Sequence, residues 1–485
     1  MRPRSPATQA SRFLLRSVPV ILLISLSLLT SCTFGPNYTR PPINSPVIFR
    51  GQEGAAQQAS LADFPWWDVF KDDTLKDLVR QALANNYDLL VAVSRIEQAR
   101  AVATQVRGDF YPQIGYLGDL GRGKNVLLGA TVPNAKTQNS VRADLNAAWE
   151  LDLWGRIRRS DEAARAQVLA SEEAKRGVML SLVSDVAQAY FELLGLDRQL
   201  EIAQHTTKSF GDSLSVFRKR LQGGVASRLE TSRAEASLAS TASTIPELER
   251  QIAFKENQIN VLLGRNPGPV PRKATLDEQE IPPEVPAGLP SSLLERRPDV
   301  RQAEQQLVAA NAQVGVTLAE FFPKIGLTTL LGRVSGELSN FTSQRANLWA
   351  ITGTMTGPIF QGGKVLGAYE QAEAQREEAK LHYEQTVLNA FQEVSNALIS
   401  RQKLEDVRAQ ETRAVAALED AVKVSLQRYV SGAASYFEVL EAQQQLFPAE
   451  NALAQTQLNQ LQTIVQLYRA LGGGWNLPDD KWVAP

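Results

Sequence analysis

The sequence repeats itself, and the repeated unit contains helical stretches longer than a compact domain can enclose. Arg220 to Gly264 aligns without a gap on Arg428 to Gly472, and Gly155 and Gly363 keep that register. Upstream, Asn86-Tyr87-Asp88-Leu89 and Phe110-Tyr111-Pro112-Gln113-Ile114-Gly115 match Arg297-Pro298-Asp299-Val300 and Phe321-Phe322-Pro323-Lys324-Ile325-Gly326. The chain is therefore two copies of one unit of roughly 200 residues, and repeats of this kind decide an architecture before any motif does. Residues 72–265 form the first copy and 291–474 the second, with a Pro-rich linker over 266–290 and a short tail over 475–485. Pro267, Pro269, Pro271, Pro282 and Pro283 mark the linker as extended.

Each copy orders its elements alike. A helical segment (about 72–110, then about 291–322) stops at Pro112 or Pro323, because the residue before a proline is pushed out of helical geometry. Two strand-like segments follow, then a long Pro-free helical stretch, a glycine turn and a helix back. The hairpins are expected over about 155–264 and 362–472. As one helix, Gly155 to Gln222 would reach about 100 Å at 1.5 Å per residue. Met179, Leu182, Val186, Ala189, Leu193, Leu196, Leu200 and Ala203 are spaced three, four, three, four, which is a coiled-coil seam.

The strands carry the decisive pattern. From Val141 to Leu153 every odd position is apolar, whereas Arg142, Asp144, Asn146, Glu150 and Asp152 fill even positions. Ile114, Tyr116 and Leu120 alternate with Gln113 and Asp119; Trp349, Ile351, Met355 and Ile359 alternate with Thr352, Thr354 and Thr356; Ile325, Leu327 and Leu331 make a weaker fourth strand. The strands are expected over about 111–123, 139–153, 324–334 and 347–360. A soluble sheet shows the same alternation, but segments of this length, apolar on one side with aromatics near the ends, have the dimensions of outer-membrane barrel strands. A spanning sheet must close, since an open edge strands backbone groups in hydrocarbon. Four strands are too few to close, so the chain must oligomerise if they span, and dimer, trimer and tetramer all satisfy the pattern. The polar segments Lys124–Asn139 and Ser335–Ala346 read as external loops.

The N-terminus supplies an address. Arg2, Arg4, Arg12 and Arg16 precede an apolar run from Val18 to Leu29, the order of a secretory signal peptide over 1–31. The run closes on Leu29-Thr30-Ser31-Cys32, which resembles a bacterial lipobox, so Cys32 is the expected lipidation site at the head of an extended segment over 32–71. Thr33 follows it, where an Asp would resemble an inner-membrane retention signal, and the outer membrane is favoured.

Composition removes most other functions. Lys and Arg (51) nearly balance Asp and Glu (52), leaving no basic face for nucleic acid. One Cys with His205 and His382 cannot build a zinc cluster. Gly118 to Lys124 fits G-x-x-x-x-G-K, but Asn125 stands where the metal-binding hydroxyl belongs and no helical pattern follows. Neither an enzyme nor a cofactor is expected, and the rival reading is a periplasmic coiled-coil adaptor or a structural lipoprotein tether. An adaptor would carry one hairpin, whereas strands and hairpins occur here twice.

Laid out in full, the chain resembles the TolC-like outer-membrane efflux proteins, most closely their OprM/NodT-like lipoprotein branch. The residues carrying the likeness are Trp66-Trp67 with Phe70, Trp149-Glu150-Leu151-Asp152-Leu153-Trp154-Gly155-Arg156-Ile157-Arg158, Glu295-Arg296-Arg297-Pro298-Asp299-Val300-Arg301, and Gly357-Pro358-Ile359-Phe360-Gln361-Gly362-Gly363. The resemblance implies an α+β fold in which the long antiparallel coiled-coil helices build a periplasmic α-barrel. It also implies that three protomers pool their strands in one twelve-stranded transmembrane β-barrel. The implied partners are two further copies, outer-membrane lipid, a periplasmic adaptor (membrane fusion) protein and an inner-membrane efflux pump, expected to be of the RND type. The exit duct would pass what the pump delivers. Gate positions of the family fall on Glu230, Tyr429, Phe437, Glu438 and Glu441, while Ala434 stands where some members carry a gate Arg. A Tyr429–Glu230 hydrogen bond is the substitute to look for. Ser227-Arg228-Leu229-Glu230 and Ser435-Tyr436-Phe437-Glu438 are also both S-x-x-E capping boxes, so Glu230 and Glu438 are open to either role. Glu441 has no capping duty.

Overall fold

The computed structural model describes residues 33–52, 59–124, 136–281 and 286–482. The expected leader, Cys32, most of the Lys124–Asn139 loop and part of the Pro-rich linker lie outside them. The main elements in chain order are α1 (Asp73–Asn85), α2 (Tyr87–Gly108), β1 (Gln113–Gly123), β2 (Gln138–Leu151), α3 (Arg156–Gln222), α4 (Arg228–Ala242) and α5 (Thr244–Leu262). The second copy follows with α6 (Pro298–Ala319), β3 (Lys324–Ser335), β4 (Asn347–Thr356), α7 (Lys364–Val430) and α8 (Tyr436–Ala470). Helices α3 and α7 are each unbroken over 67 residues, as the absence of proline and glycine turns predicts. Two compact units divide the chain: residues 1–41, 96–170 and 303–383 in one, and 42–95, 171–302 and 384–485 in the other.

The first unit holds a four-stranded antiparallel sheet in the order β1-β2-β3-β4. Its register places the expected apolar residues on one face: Tyr116 opposite Leu145, Leu145 opposite Leu331, and Leu331 opposite Trp349. The next row down is Ile114, Ala147, Thr329 and Ile351. The other face carries Asp119, Arg142, Asp144, Asn146, Thr328 and Thr352. Ile114, Tyr116, Leu120, Leu331, Trp349, Ile351 and Met355 all stand exposed in the single chain. Removing each such side chain from water is worth about 1.5–3 kcal/mol, so a face carrying this row is built for a nonaqueous neighbour. The outer edges of β1 and β4 have no strand partner among the described residues.

Three strands are shorter than expected, and β1 begins only at Gln113, after Pro112. β2 ends at Leu151, because the Asp152 carboxylate accepts from the N–H groups of Ile157 and Arg158 (3.0 Å each) and starts α3 instead. Leu153 is thereby out of the sheet. β4 stops at Thr356 before Gly357-Pro358, where proline has no N–H to extend the ladder, so Ile359 is exposed outside the strand. The tryptophan-rich motif proves to be the splice between sheet and helix. Glu150 and Arg156 pair through both oxygens (2.9 Å each), the Trp154 indole N–H donates to Pro323 O (2.7 Å), and the Phe34, Trp154 and Phe322 rings all touch one another, with centres 4.4 to 5.5 Å apart. Gly155, at φ +80°, leaves room for Thr33; a Cβ there would come within 2.6 Å of the threonine methyl.

The second unit contains α1, both helical turns and the returning helices. Of the α3 seam, Met179, Leu182, Val186, Ala189, Leu193 and Ala203 are buried and Leu196 and Leu200 partly so. The duplication reaches individual hydrogen bonds. Asn86, between α1 and α2, donates to Leu262 O (3.0 Å), and its counterpart Arg297 donates to Ala470 O (2.9 Å), the matching carbonyl in the second copy. Arg297 is 6% exposed, and Asp299 and Glu393 neutralise it at 2.6 and 2.7 Å.

One expectation needs correction in this unit, and two segments prove to be held by distant partners. The first return helix is not continuous: it breaks at Ser243 between α4 and α5, ahead of Pro246, and the Ser243 and Thr244 hydroxyls satisfy the Ser240 and Thr241 carbonyls (2.7 Å each). α8 instead runs through Pro448. The linker is extended but docked, with Val270 and Leu276 buried and Arg272 bridging Asp197 and Glu256 at 2.6 Å. The tail is also held, since Trp482 is buried, its carbonyl accepts from the Trp66 indole (3.1 Å), and Asp479 pairs with Lys175 at 2.9 Å.

Candidate gate at the two helical turns

Both turns close in the same way. In the first, Val225 N–H donates to Arg220 O (2.9 Å) and Gly224 N–H to Leu221 O (3.0 Å). In the second, Ala433 N–H donates to Arg428 O (2.8 Å) and Gly432 N–H to Tyr429 O (3.1 Å). This is the bond pair of a Schellman motif, and Gly224 (φ +72°) and Gly432 (φ +79°) occupy its left-handed position.

Behind the turns lies an apolar cluster of Phe210, Leu214 and Phe217 from α3, Ala234 from α4, Tyr429 from α7, and Tyr436, Val439 and Leu440 from α8. Phe217 meets Tyr429 and Tyr436 edge to face, with ring centres 5.1 and 5.6 Å away. Such pairs add about 0.5–1.5 kcal/mol each to the area they bury. Tyr429 is thus a core residue as much as a gate candidate, and its hydroxyl is buried without a hydrogen-bond partner among the described residues. Burial pushes its pKa up and the Glu230 carboxylate adds to that, against the opposing charge of Arg220. The expected Tyr429–Glu230 hydrogen bond is not formed at hydrogen-bonding geometry, although the two groups feel each other's charge.

The two S-x-x-E sequences separate in their use. Glu438 accepts from the Ser435 backbone N–H (3.4 Å) and lies 3.8 Å from Arg428, so its carboxylate is occupied in capping α8. At α4 the cap is the serine alone: Ser227 Oγ accepts from Glu230 N–H (3.3 Å), and the Glu230 carboxylate takes only a long 3.5 Å contact from the Ser227 hydroxyl. Glu230 remains open toward Tyr429.

Phe437, at the first turn of α8, is 51% exposed. Glu441, one turn on, is exposed, and the Gln445 amide donates to it at 3.2 Å. These two present an apolar ring and an unneutralised carboxylate side by side on one helix.

Sequence reasoning missed the arginines that accompany the gate positions. Arg220 lies over the Tyr429 ring (4.5 Å from its centre) and donates to Tyr429 O (3.1 Å). Arg233 lies over the Phe437 ring at 4.8 Å. The second copy has Ala434 where an arginine was sought, and the first copy supplies the positive charge from α3 and α4. A signal was present, because the gap-free alignment sets Arg233 opposite Glu441, a reversal of charge between copies. Cys32 lies outside the described residues, and among those described no group of three or more His, Cys, Asp or Glu is placed to hold a metal.

Comparison with known proteins gives one consistent result. The model of the family described as "Outer membrane efflux protein" matches residues 78–265 and 289–473. The cation efflux system protein CusC of Escherichia coli O6:H1 is 34% identical over 450 residues, covering 92% of this chain and 96% of that protein. The probable efflux pump outer membrane protein TtgC of Pseudomonas putida is 33% identical over 462 residues, covering 94% and 95%. Among solved structures, the outer-membrane channel OprN superposes with a TM-score of 0.85 at 32% identity, covering 92% of this chain and all of that one.

Proposed function

The chain belongs to the outer membrane efflux protein family and is an outer-membrane channel of a tripartite efflux system, extending into the periplasm; from this premise we propose how its parts do that work. Three copies pool their sheets into twelve strands, β1 of each pairing with β4 of the next. The observation that carries this is the sheet itself, apolar and exposed on one face and unpartnered at both edges. The apolar face meets lipid and the polar face lines the pore, because closure is the only way to satisfy the edge groups in hydrocarbon. The long helices of each copy enclose the periplasmic duct. Cys32 carries the lipid anchor. Its neighbour Thr33 rests on Gly155 directly after β2, a position that would set acyl chains at the edge of the spanning strands.

At the turns, Phe437 narrows the passage and Glu441 makes it attractive to cations, since like carboxylates around a narrow ring gather counter-ions. Tyr429 anchors α7 against Phe217 within reach of the Glu230 charge, while Glu438 caps α8. The work is passive conduction, so the chain is not an enzyme, and the adaptor and an RND-type pump choose the cargo. The relatives' names run from cation to solvent efflux, which fits a duct that does not ligate what it carries.

The test is the native mass and N-terminal lipid of the chain extracted from separated outer membranes. A lipidated trimer is expected. A monomer or dimer would sink the twelve-strand assembly, and an unmodified Cys32 would sink the anchor.

A further inference from the structure

Each hairpin is tied to itself by ion pairs at its turn and to the other hairpin by arginines on aromatic rings. Arg218 of α3 pairs with Glu235 of α4 (3.2 Å), and Arg428 of α7 faces Glu438 of α8 (3.8 Å). Between hairpins, Arg220 covers Tyr429 and Arg233 covers Phe437. Arg220 also bonds a backbone carbonyl and is fixed. Arg233 has Glu230 three residues back on its own helix, within the usual reach of a helical ion pair, yet it has no carboxylate partner among the described residues and lies on Phe437 instead. The guanidinium is planar, weakly hydrated and well matched to a ring face.

We propose that Arg233 is the positioning residue of the gate ring, holding Phe437 against α4 so that the tip of α8 stays closed until the ring slides off the guanidinium. The inference deepens the gate reading above and rests on Phe437 being the obstruction. A cation–π contact suits a moving part. Its attraction has a broad optimum over the ring, so α8 can shift by a few ångströms without crossing the sharp loss of a broken hydrogen bond. It also joins a first-copy arginine to a second-copy ring, which makes the two hairpins rather than either alone the unit that opens.

The experiment is planar-bilayer recording of the full-length protein, reading the fraction of time open. Arg233→Gln is expected to raise that fraction about 2- to 5-fold, the range of an exposed cation–π pair. Arg233→Lys should fall between the parent and Arg233→Gln, because the ammonium keeps the charge but not the planar fit to the ring, and Phe437→Leu should open the channel at least as much as Arg233→Gln. The double variant should gain nothing beyond Phe437→Leu, because Arg233 acts only through the ring. The Arg233→Gln effect should be alike at 0.1 and 1 M salt at about the screening lengths of 10 and 3 Å, whereas an ion pair would fade. If Phe437→Leu changes nothing, the gate reading fails and the latch with it. If Phe437→Leu opens the channel while Arg233→Gln is silent, or if the two effects multiply, the gate stands and the latch is wrong.

Discussion

The first turn and the second close on the same hydrogen bonds around the same left-handed glycine, yet their side chains have divided the work. The first copy contributes the cations Arg220 and Arg233; the second contributes the rings they cover, Tyr429 and Phe437, and the exposed Glu441 carboxylate. Duplication preserved the backbone because a Schellman turn needs only one glycine and two amide donors, which leaves the surrounding positions free to diverge. On the gate reading proposed above, the obstruction and its support lie in different copies, so that neither hairpin would be a gate alone.

The core shared by both turns offers the largest effect. Phe217→Ala would remove the ring on which Tyr429 and Tyr436 both pack, at a cost of about 3–5 kcal/mol. Hydrogen exchange should then show loss of protection at both turns together, with the sheet of the other unit unchanged. Loss at one turn only would mean that the hairpins are stabilised separately.

The next test sharpens the division of labour. Glu441→Gln should lower cation selectivity in bilayer recordings severalfold, because the neutral amide attracts no counter-ions. Arg233→Gln should leave the sign of selectivity in place while changing the open fraction. Equal loss of selectivity from both would erase the distinction between obstruction and support.

A smaller effect separates the two S-x-x-E sequences. Ser227→Ala should destabilise the start of α4 by about 1 kcal/mol, since the serine is the cap there. Glu438→Ala should loosen the start of α8 by a comparable amount, because its carboxylate holds the Ser435 N–H. Glu230→Ala should barely affect α4. Amide protection of residues 228–232 and 436–440 reports all three.

The parts of the fold that were legible in the sequence are those made by local periodicity. The α3 seam from Met179 to Ala203 and the alternation in β2 follow from spacings of 3.5 and 2 residues, which any stretch displays before it meets a neighbour. The contacts that local periodicity does not reveal depend on partners distant in the chain. Arg272 docks the linker on Asp197 and Glu256, and Trp66 holds Trp482 from the far end of the chain. The same holds at the gate. Phe437 and Glu441 were singled out by the family resemblance, but nothing adjacent to Arg233 indicates that it will leave Glu230 for a ring in the other copy.

The smallest predicted effect tests the pairing of Glu230 with Tyr429 directly. Burial and Glu230 hold the Tyr429 pKa above its ordinary value of 10.0 in the folded chain. A group whose folded pKa is raised contributes stability that is fully present below the unfolded value and is lost as pH rises through the folded one. The contribution of Tyr429 therefore persists at neutral pH and disappears only in alkali above pH 10. Glu230→Gln removes one of the causes, so tyrosinate at this position should appear at lower pH than in the parent. The shift is read by ring-carbon NMR of labelled tyrosine, with Tyr429→Phe assigning the signal. Glu438→Gln should leave the same signal in place, because that carboxylate is engaged by the Ser435 N–H on its own helix. An equal shift from both glutamates would mean that the two turns present their carboxylates alike, and the asymmetry between the copies would then rest on the arginines alone.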